Sequence, residues 1–262
     1  MKLRDILDEG IHDKGIFKAV FLAGGPGSGK SFMAGNIFGI PDKLNLQTFS
    51  SLGLKIISSD KEFVHFLKKN NLPLDLTKIP TDKQDDVFGY KSSSLRSKAK
   101  KTTFNKRTGY IKGKLGLIID GTGRDYTNIK RQKTALEKIG YDTYLVFINT
   151  SLKVALERNN KRDRVVPPDI VTKAWNSVQD NIGKFQNLFG ASNIQIIDNS
   201  KKGVDNNIIK KASNVATKWI NSKLKNTIAL KWISNEKEKT RNNKMKKLEL
   251  KQSFKKKSIQ YK

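Results

Sequence analysis

Five short apolar runs recur along the chain: Ile16 to Ala23, Leu54 to Ser58, Leu115 to Ile119, Thr143 to Asn149, and Asn193 to Asp198. Each is β-rich and none alternates cleanly with polar residues, which is the pattern of strands covered on both faces. The segments between them are long enough for crossover helices. Helical patterns fill Lys30 to Phe38, Arg124 to Ile139, Ser151 to Asn160 and Pro168 to Leu188. Pro168 suits a first helical turn, where its missing N–H has no partner to lose. The expected architecture is α/β, a doubly wound parallel sheet with helices on both faces.

Two regions break this rhythm. Between Lys61 and Gly113 the gap is too long for a simple crossover, so an inserted helical subdomain is expected over residues 61–114. Its second half, Lys91 to Lys114, holds nine Lys or Arg and no acid, either an anion-binding face or a solvated helix surface. A last core helix is expected over Asn206 to Leu224, closing a domain of residues 1–224. The remainder, 225–262, is a tail dominated by Lys, Asn, Ser and Glu, an extended helix or a disordered segment. Lys255, Lys256 and Lys257 form a run within it that would adhere to nucleic acid or acidic surfaces.

Composition sharpens the picture. The 262 residues carry 52 Lys plus Arg against 24 Asp plus Glu, a formal charge of +28. That excess suits a polyanionic partner such as nucleic acid. The Lys-, Asn- and Ile-rich bias of AT-rich coding would also produce it. The absence of cysteine excludes disulfides and thiolate metal sites. His12 and His65 are expected to be solvent-facing or satisfied in the core rather than metal ligands. No stretch approaches a membrane span. Met1 to Gly15, with Asp5, Asp8 and Glu9 among apolar residues, reads as a surface helix rather than a signal peptide, so a cytoplasmic protein is expected.

The strongest chemical signal is Gly24-Gly25-Pro26-Gly27-Ser28-Gly29-Lys30-Ser31, placed directly after the first strand and before a helix. This is a phosphate-binding loop, G-x-x-x-x-G-K-S. Backbone N–H groups must converge on phosphate oxygens, and glycines permit the necessary dihedrals. Residues Gly25, Pro26, Gly27, Ser28, Gly29 and Lys30 would hold ATP, with Lys30 reaching its β- and γ-phosphates and Ser31 ligating Mg²⁺. The second strand ends in Asp60, either a general base for an attacking hydroxyl or the cap of the following helix. The third ends in Asp120, in the form of a Walker B carboxylate that assists the metal. Thr122 and Arg124 follow it and would face the same crevice. Arg158, Arg162 and Arg164 cluster after the fourth strand. A lid over residues 155–168 carrying them would neutralise charge developing on a transferred phosphate.

Four ordered blocks, GGPGSGKS, IISSD, IIDGTGRD and ERNNKRDRVVP, carry a resemblance. The chain resembles the zeta-toxin and polynucleotide-kinase group of P-loop kinases, particularly the zeta-toxin-like kinases of large tailed bacteriophages, from about Phe17 to Asp198. The resemblance implies a three-layer fold with a five-stranded sheet in the order 2-3-1-4-5, and ATP·Mg²⁺-dependent phosphorylation of a hydroxyl. By position, Lys30 and Ser31 match nucleotide and metal residues, and Asp60 the carboxylate that activates the acceptor. Thr122 and Arg124 fall in the family's GTxR turn at the acceptor pocket. Arg158 and one of Arg162 or Arg164 match the lid arginines. Bacterial zeta toxins usually have Glu where this chain has Asp120.

The expected activity is therefore phosphoryl transfer. Candidate acceptors are a nucleic-acid 5′-hydroxyl, a UDP-N-acetyl amino sugar, or a nucleoside or other small metabolite. The rival from another class is a nucleic-acid-binding ATPase in which water is the acceptor and the basic segments supply the function.

Overall fold

The computed structural model describes residues 10–40, 50–201 and 205–260. Five parallel strands, β1 (Lys18–Ala23), β2 (Lys55–Ile57), β3 (Leu117–Asp120), β4 (Asp142–Asn149) and β5 (Ile194–Asp198), form one sheet. Their order is β2-β3-β1-β4-β5, the order implied by the P-loop kinase resemblance. The first and third strands begin later than their apolar runs. Phe17 and Lys114 take positive φ values, 56° and 59°, and turn the chain before each ladder starts.

Successive β1 side chains alternate between two cores. Ala19, Phe21 and Ala23 face one side of the sheet with Leu117, Leu145 and Phe147. That side is covered by helices α5 (Tyr126–Glu137), α7 (Pro168–Gln179) and α8 (Ile182–Phe189) through Ile129, Leu136, Val178, Phe185 and Phe189. Val20 and Leu22 face the other side, under α1 (Lys30–Phe38) and α9 (Asn206–Asn221), with Met33, Ile37, Ala212, Ala216 and Trp219. Helix α6 (Leu152–Asn160) follows β4.

The stretch after β2 holds α2 (Ser59–Lys69), α3 (Gln84–Phe88) and α4 (Leu95–Lys112). Its apolar residues Phe63, Leu67, Ile79, Val87, Leu95 and Ala99 form a separate small core. Of the nine basic residues in this region, Arg96, Lys106 and Arg107 bond internally to Asp60, Glu62 and Gln132. Lys91, Lys98, Lys100, Lys101 and Lys112 are exposed.

The single helix expected over Pro168 to Leu188 is two. The break falls at Asp180 and Asn181, where the buried Asn181 amide donates to Gly123 O (3.1 Å) and Arg124 O (2.9 Å) instead of continuing a helical face. Of the expected N-terminal helix, Met1 to Glu9 lie outside the described residues and Gly10–His12 form a short 3-10 turn. His12 and His65 are both exposed.

The segment after residue 224 is helical, as α10 (Thr227–Gln260), and its root belongs to the core. Ala229 is fully buried, and Trp232 meets Phe17 edge-on with ring centroids 5.4 Å apart. Gly140, at φ 110°, makes room for this packing, because a Cβ there would stand 2.9 Å from the Phe17 ring and 3.2 Å from Ala229 N. The Asp142 carboxylate accepts from Lys18 Nζ (3.0 Å), Lys225 N (3.0 Å) and Asn226 N (3.2 Å), fixing the turn that starts α10. Among the described residues, no helix is long and apolar enough to cross a membrane.

Candidate active site

The phosphate loop lies at the carboxyl edge of the sheet, between β1 and α1. Gly27 and Gly29 take φ values of 77° and 80°, which side chains disfavour. At Gly27 space is closed as well, since a Cβ would fall 2.0 Å from Ala155 O on α6. A Cβ on Gly29 would collide with Asn199 Nδ2 at 2.4 Å, and that amide donates to Ser28 O (2.8 Å). The loop is therefore held from behind by α6 and by the turn after β5. Ser28 is buried and its Oγ has no hydrogen-bond partner, lying close beside Gly24. Lys30 opens α1, and Ser31 follows in its exposed first turn.

The Asp120 carboxylate is shared. One oxygen pairs with Lys30 Nζ and the other accepts from Ser58 Oγ at 2.7 Å. Next to it, the Gly121 and Gly24 amides donate to Leu22 O (3.1 Å) and Thr122 O (3.0 Å), so the turn after β3 is stitched to the phosphate loop. Asn181 holds the outer side of that turn through Gly123 O and Arg124 O. The Arg124 side chain is left exposed. A donor set of Ser31 hydroxyl and Asp120 carboxylate fits Mg²⁺, a hard cation that keeps several of its waters and needs few protein oxygens.

Ser58, not Asp60, caps α2, its hydroxyl lying 3.5 Å from Lys61 N. The alternative of Asp60 as a helix cap is thereby replaced, and Asp60 lies in the first turn with its carboxylate turned to two arginines. Arg96 of α4 donates to Oδ1 at 2.9 Å and Arg164 of the loop after α6 donates to Oδ2 at 2.8 Å. Burial alone would raise its pKa, but Arg164 and then Arg96 outweigh it and hold the carboxyl well below the usual range. Lys61 is held below its ordinary value by lost hydration and by Lys30, against the pull of Asp120.

The three arginines after β4 have separate surroundings. Arg158, on α6, donates to Asn199 O (2.8 Å) and Lys201 O (3.0 Å), bracing the turn beside the phosphate loop. Arg164 holds Asp60. Arg162 has Nε and one terminal nitrogen buried without a partner, and burial and then Arg164 lower its pKa, against the attraction of Asp60. The backbone ties this loop to the inserted helices, Leu76 N donating to Val165 O at 3.1 Å.

Two pairs, Lys30 with Asp120 and Arg164 with Asp60, thus stand at the β3 end and in the first turn of α2, while Arg158 supports the loop from its flank. Sequence reasoning missed Ser58, Arg96, Asn181 and Asn199. Arg96 was visible only as one charge in a basic run. Ser58 lies two residues before Asp60 in the same block, and a serine before a helical first turn was the signal available. Asn181 and Asn199 act through the fold alone and leave no local pattern.

Comparison with known proteins gives one family match and a set of similar folds. Residues 83–209 match the family model described as Zeta toxin. Among solved structures, the AvrRxo1-ORF1:-ORF2 complex with ATP superposes with a TM-score of 0.50 at 13% identity, covering 77% of this chain and 63% of that one. A structure from the PezAT chromosomal toxin-antitoxin system of Streptococcus pneumoniae gives 0.44 at 16% identity, covering 83% and 94%. A gluconokinase from Sinorhizobium meliloti 1021 gives 0.43 at 11%, covering 78% and 92%. No curated protein matches the chain by sequence. With the strand order and phosphate loop, the chain has the fold of the P-loop kinases.

Proposed function

We propose that this protein is an ATP- and Mg²⁺-dependent phosphotransferase that passes the γ-phosphate to a hydroxyl in the cytoplasm, with kinship to the zeta-toxin-like kinases of large tailed phages. The observation that carries the reading is the continuous link from Lys30 through Asp120 and Ser58 to the α2 turn bearing Asp60. The Asp120 carboxylate of the nucleotide site thus bonds to the residue that caps the helix carrying Asp60.

In this reading Gly25 to Lys30 hold the triphosphate, and the orphan Ser28 hydroxyl and the loop amides meet its oxygens. Ser31 and Asp120 would hold Mg²⁺, which would supply charge neutralisation to the bound triphosphate. Lys30 exchanges its Asp120 partner for phosphate oxygen. Asp60, kept ionised by its arginines, still has lone pairs for the acceptor hydroxyl. Its low basicity suits phosphoryl transfer, in which the transition state is loose and the hydroxyl proton need leave only late. The unpaired nitrogens of Arg162 are available to anionic oxygen. Arg158 and Arg164 are the lid charges, and Thr122 and Arg124 border the acceptor.

The exposed Lys98, Lys101 and Phe104 on α4 favour a nucleic-acid 5′-hydroxyl as acceptor, through phosphate contacts and base stacking. The zeta-toxin match favours a UDP-N-acetyl amino sugar. The test is transfer of labelled γ-phosphate from ATP·Mg²⁺ into 5′-hydroxyl oligonucleotides, UDP-N-acetyl sugars and nucleosides. Label in one class, lost in Lys30→Ala, is the expected result. Release to water alone across the panel would replace this reading by an ATPase.

A further inference from the structure

The strongest unassigned feature is the free part of α10. After Trp232 and Ile233 leave the core, the described side chains from Ser234 to Glu249 are exposed, Glu236 alone being half-buried. Residues 235–260 hold ten Lys or Arg and three Glu. At 1.5 Å per residue this is a rod of about 40 Å.

The charge is not spread evenly. At about 100° per residue, Lys237, Arg241, Lys244, Lys251 and Lys255 fall within about 80° of helix surface, at alternating three- and four-residue steps with Leu248 in the one apolar place. Glu236, Glu238 and Glu249 all fall outside that arc. Lys237, Arg241 and Lys244 are exposed, and the ion pair among the described residues of this helix, Glu236 with Lys239 at 2.7 Å, involves none of them. Among the described residues, Lys237, Arg241 and Lys244 make no ion pair and pack against no core residue.

We propose that this stripe is a nucleic-acid-binding arm, which tracks the phosphate backbone independently of the catalytic site. Steps of three and four residues set neighbouring charges about 5 to 6 Å apart, with one gap of about 10 Å across Leu248, a row suited to following a phosphate backbone and to counterion release. An anionic membrane is the poorer fit, because Met245, Leu248, Leu250 and Phe254 fall on different sides of the helix and supply no apolar face. The arm is rooted at Phe17 and Gly140, just before β1 and β4, and at Asp142, the first residue of β4, while the phosphate loop follows the opposite end of β1. It therefore acts as a tether, and its binding does not require nucleotide or Asp60.

The experiment measures binding of a labelled 20-base-pair DNA and a 20-nucleotide single strand to the full chain without nucleotide, at several salt concentrations. It compares Lys237→Gln/Arg241→Gln/Lys244→Gln/Lys251→Gln with the equal-charge control Lys239→Gln/Lys246→Gln/Lys256→Gln/Lys257→Gln. Phosphates on the stripe side lie within about one Debye length, roughly 8 Å, whereas the far side is displaced by the helix diameter, about 10 Å. The stripe variant is expected to lose about tenfold or more in affinity and to flatten the salt slope by about 2 to 4 units, and the control by about 1 or less. Circular dichroism of each variant confirms equal helix content. Equal losses in both variants would overturn the stripe, leaving undirected charge. No loss in either, or preferential binding to phosphatidylserine vesicles or a poly-glutamate peptide, would overturn the arm. DNA binding is read without nucleotide and phosphoryl transfer with it, so the two readings fail separately.

Discussion

At the scale of single residues, the chemistry turns on how Asp60 is held. Two guanidinium groups on different segments, Arg96 and Arg164, each take one of its oxygens. A carboxylate whose folded-state pKa lies below its unfolded value stabilises the fold at every pH above the unfolded pKa, and the contribution fades as pH falls through the folded one. Here that loss is confined to strongly acidic solution, and because Asp60 is 37% exposed its size is modest. Activity is the sharper reporter. Arg96→Ala should raise the Asp60 pKa, moving the acid limb of the kcat/KM profile to higher pH while the neutral plateau persists. An unshifted acid limb in a pH-rate profile would mean that Arg96 does not tune this group. Asp60 was legible because a strand ending in an acid beside a phosphate loop is a local pattern. Arg96 was not, because the helix that delivers it lies 36 positions further along and only folding brings the two together.

At the scale of elements, the turn after β3 shows how a loop is made rigid from outside. Asn181, at the break between α7 and α8, is buried and donates to two carbonyls of that turn. Asn181→Ala leaves both acceptors without this donor and should cost about 2 kcal/mol, read from urea unfolding, and raise KM for the acceptor more than it lowers kcat. A variant as stable as wild type would show that the turn is held by its own bonds to Leu22 and Gly24. The sheet was readable from the apolar runs, since strands covered on both faces leave uninterrupted hydrophobic segments. The break in Pro168 to Leu188 was hidden because apolar periodicity continues across it, from Val178 to Ile182 and Phe185. What stops the helix is a polar side chain with a distant partner, and a periodicity cannot register that.

At the scale of the whole molecule, the C-terminal helix divides into a root that the core needs and an arm that it does not. Composition concealed the division, because the same Lys- and Asn-rich background runs through both parts and only Ala229, Trp232 and Ile233 distinguish the root. Truncation after Ser234 should leave the unfolding free energy within about 0.5 kcal/mol of the full chain, as for other exposed positions. Truncation after Leu224 removes Trp232 from Phe17 and two amides from Asp142, and should cost about 3 kcal/mol or more. Equal stability of the two truncations in denaturant titrations would place the whole helix outside the core. The central claim concerns what this rigid core does with ATP, and single-turnover transfer from labelled ATP·Mg²⁺ to the preferred acceptor tests it most directly. In Asp60→Asn the transfer rate should fall by about a hundredfold or more while ATP affinity stays unchanged. Transfer at the wild-type rate in that variant would contradict the account, because the carboxylate at its centre would then have no part in the reaction.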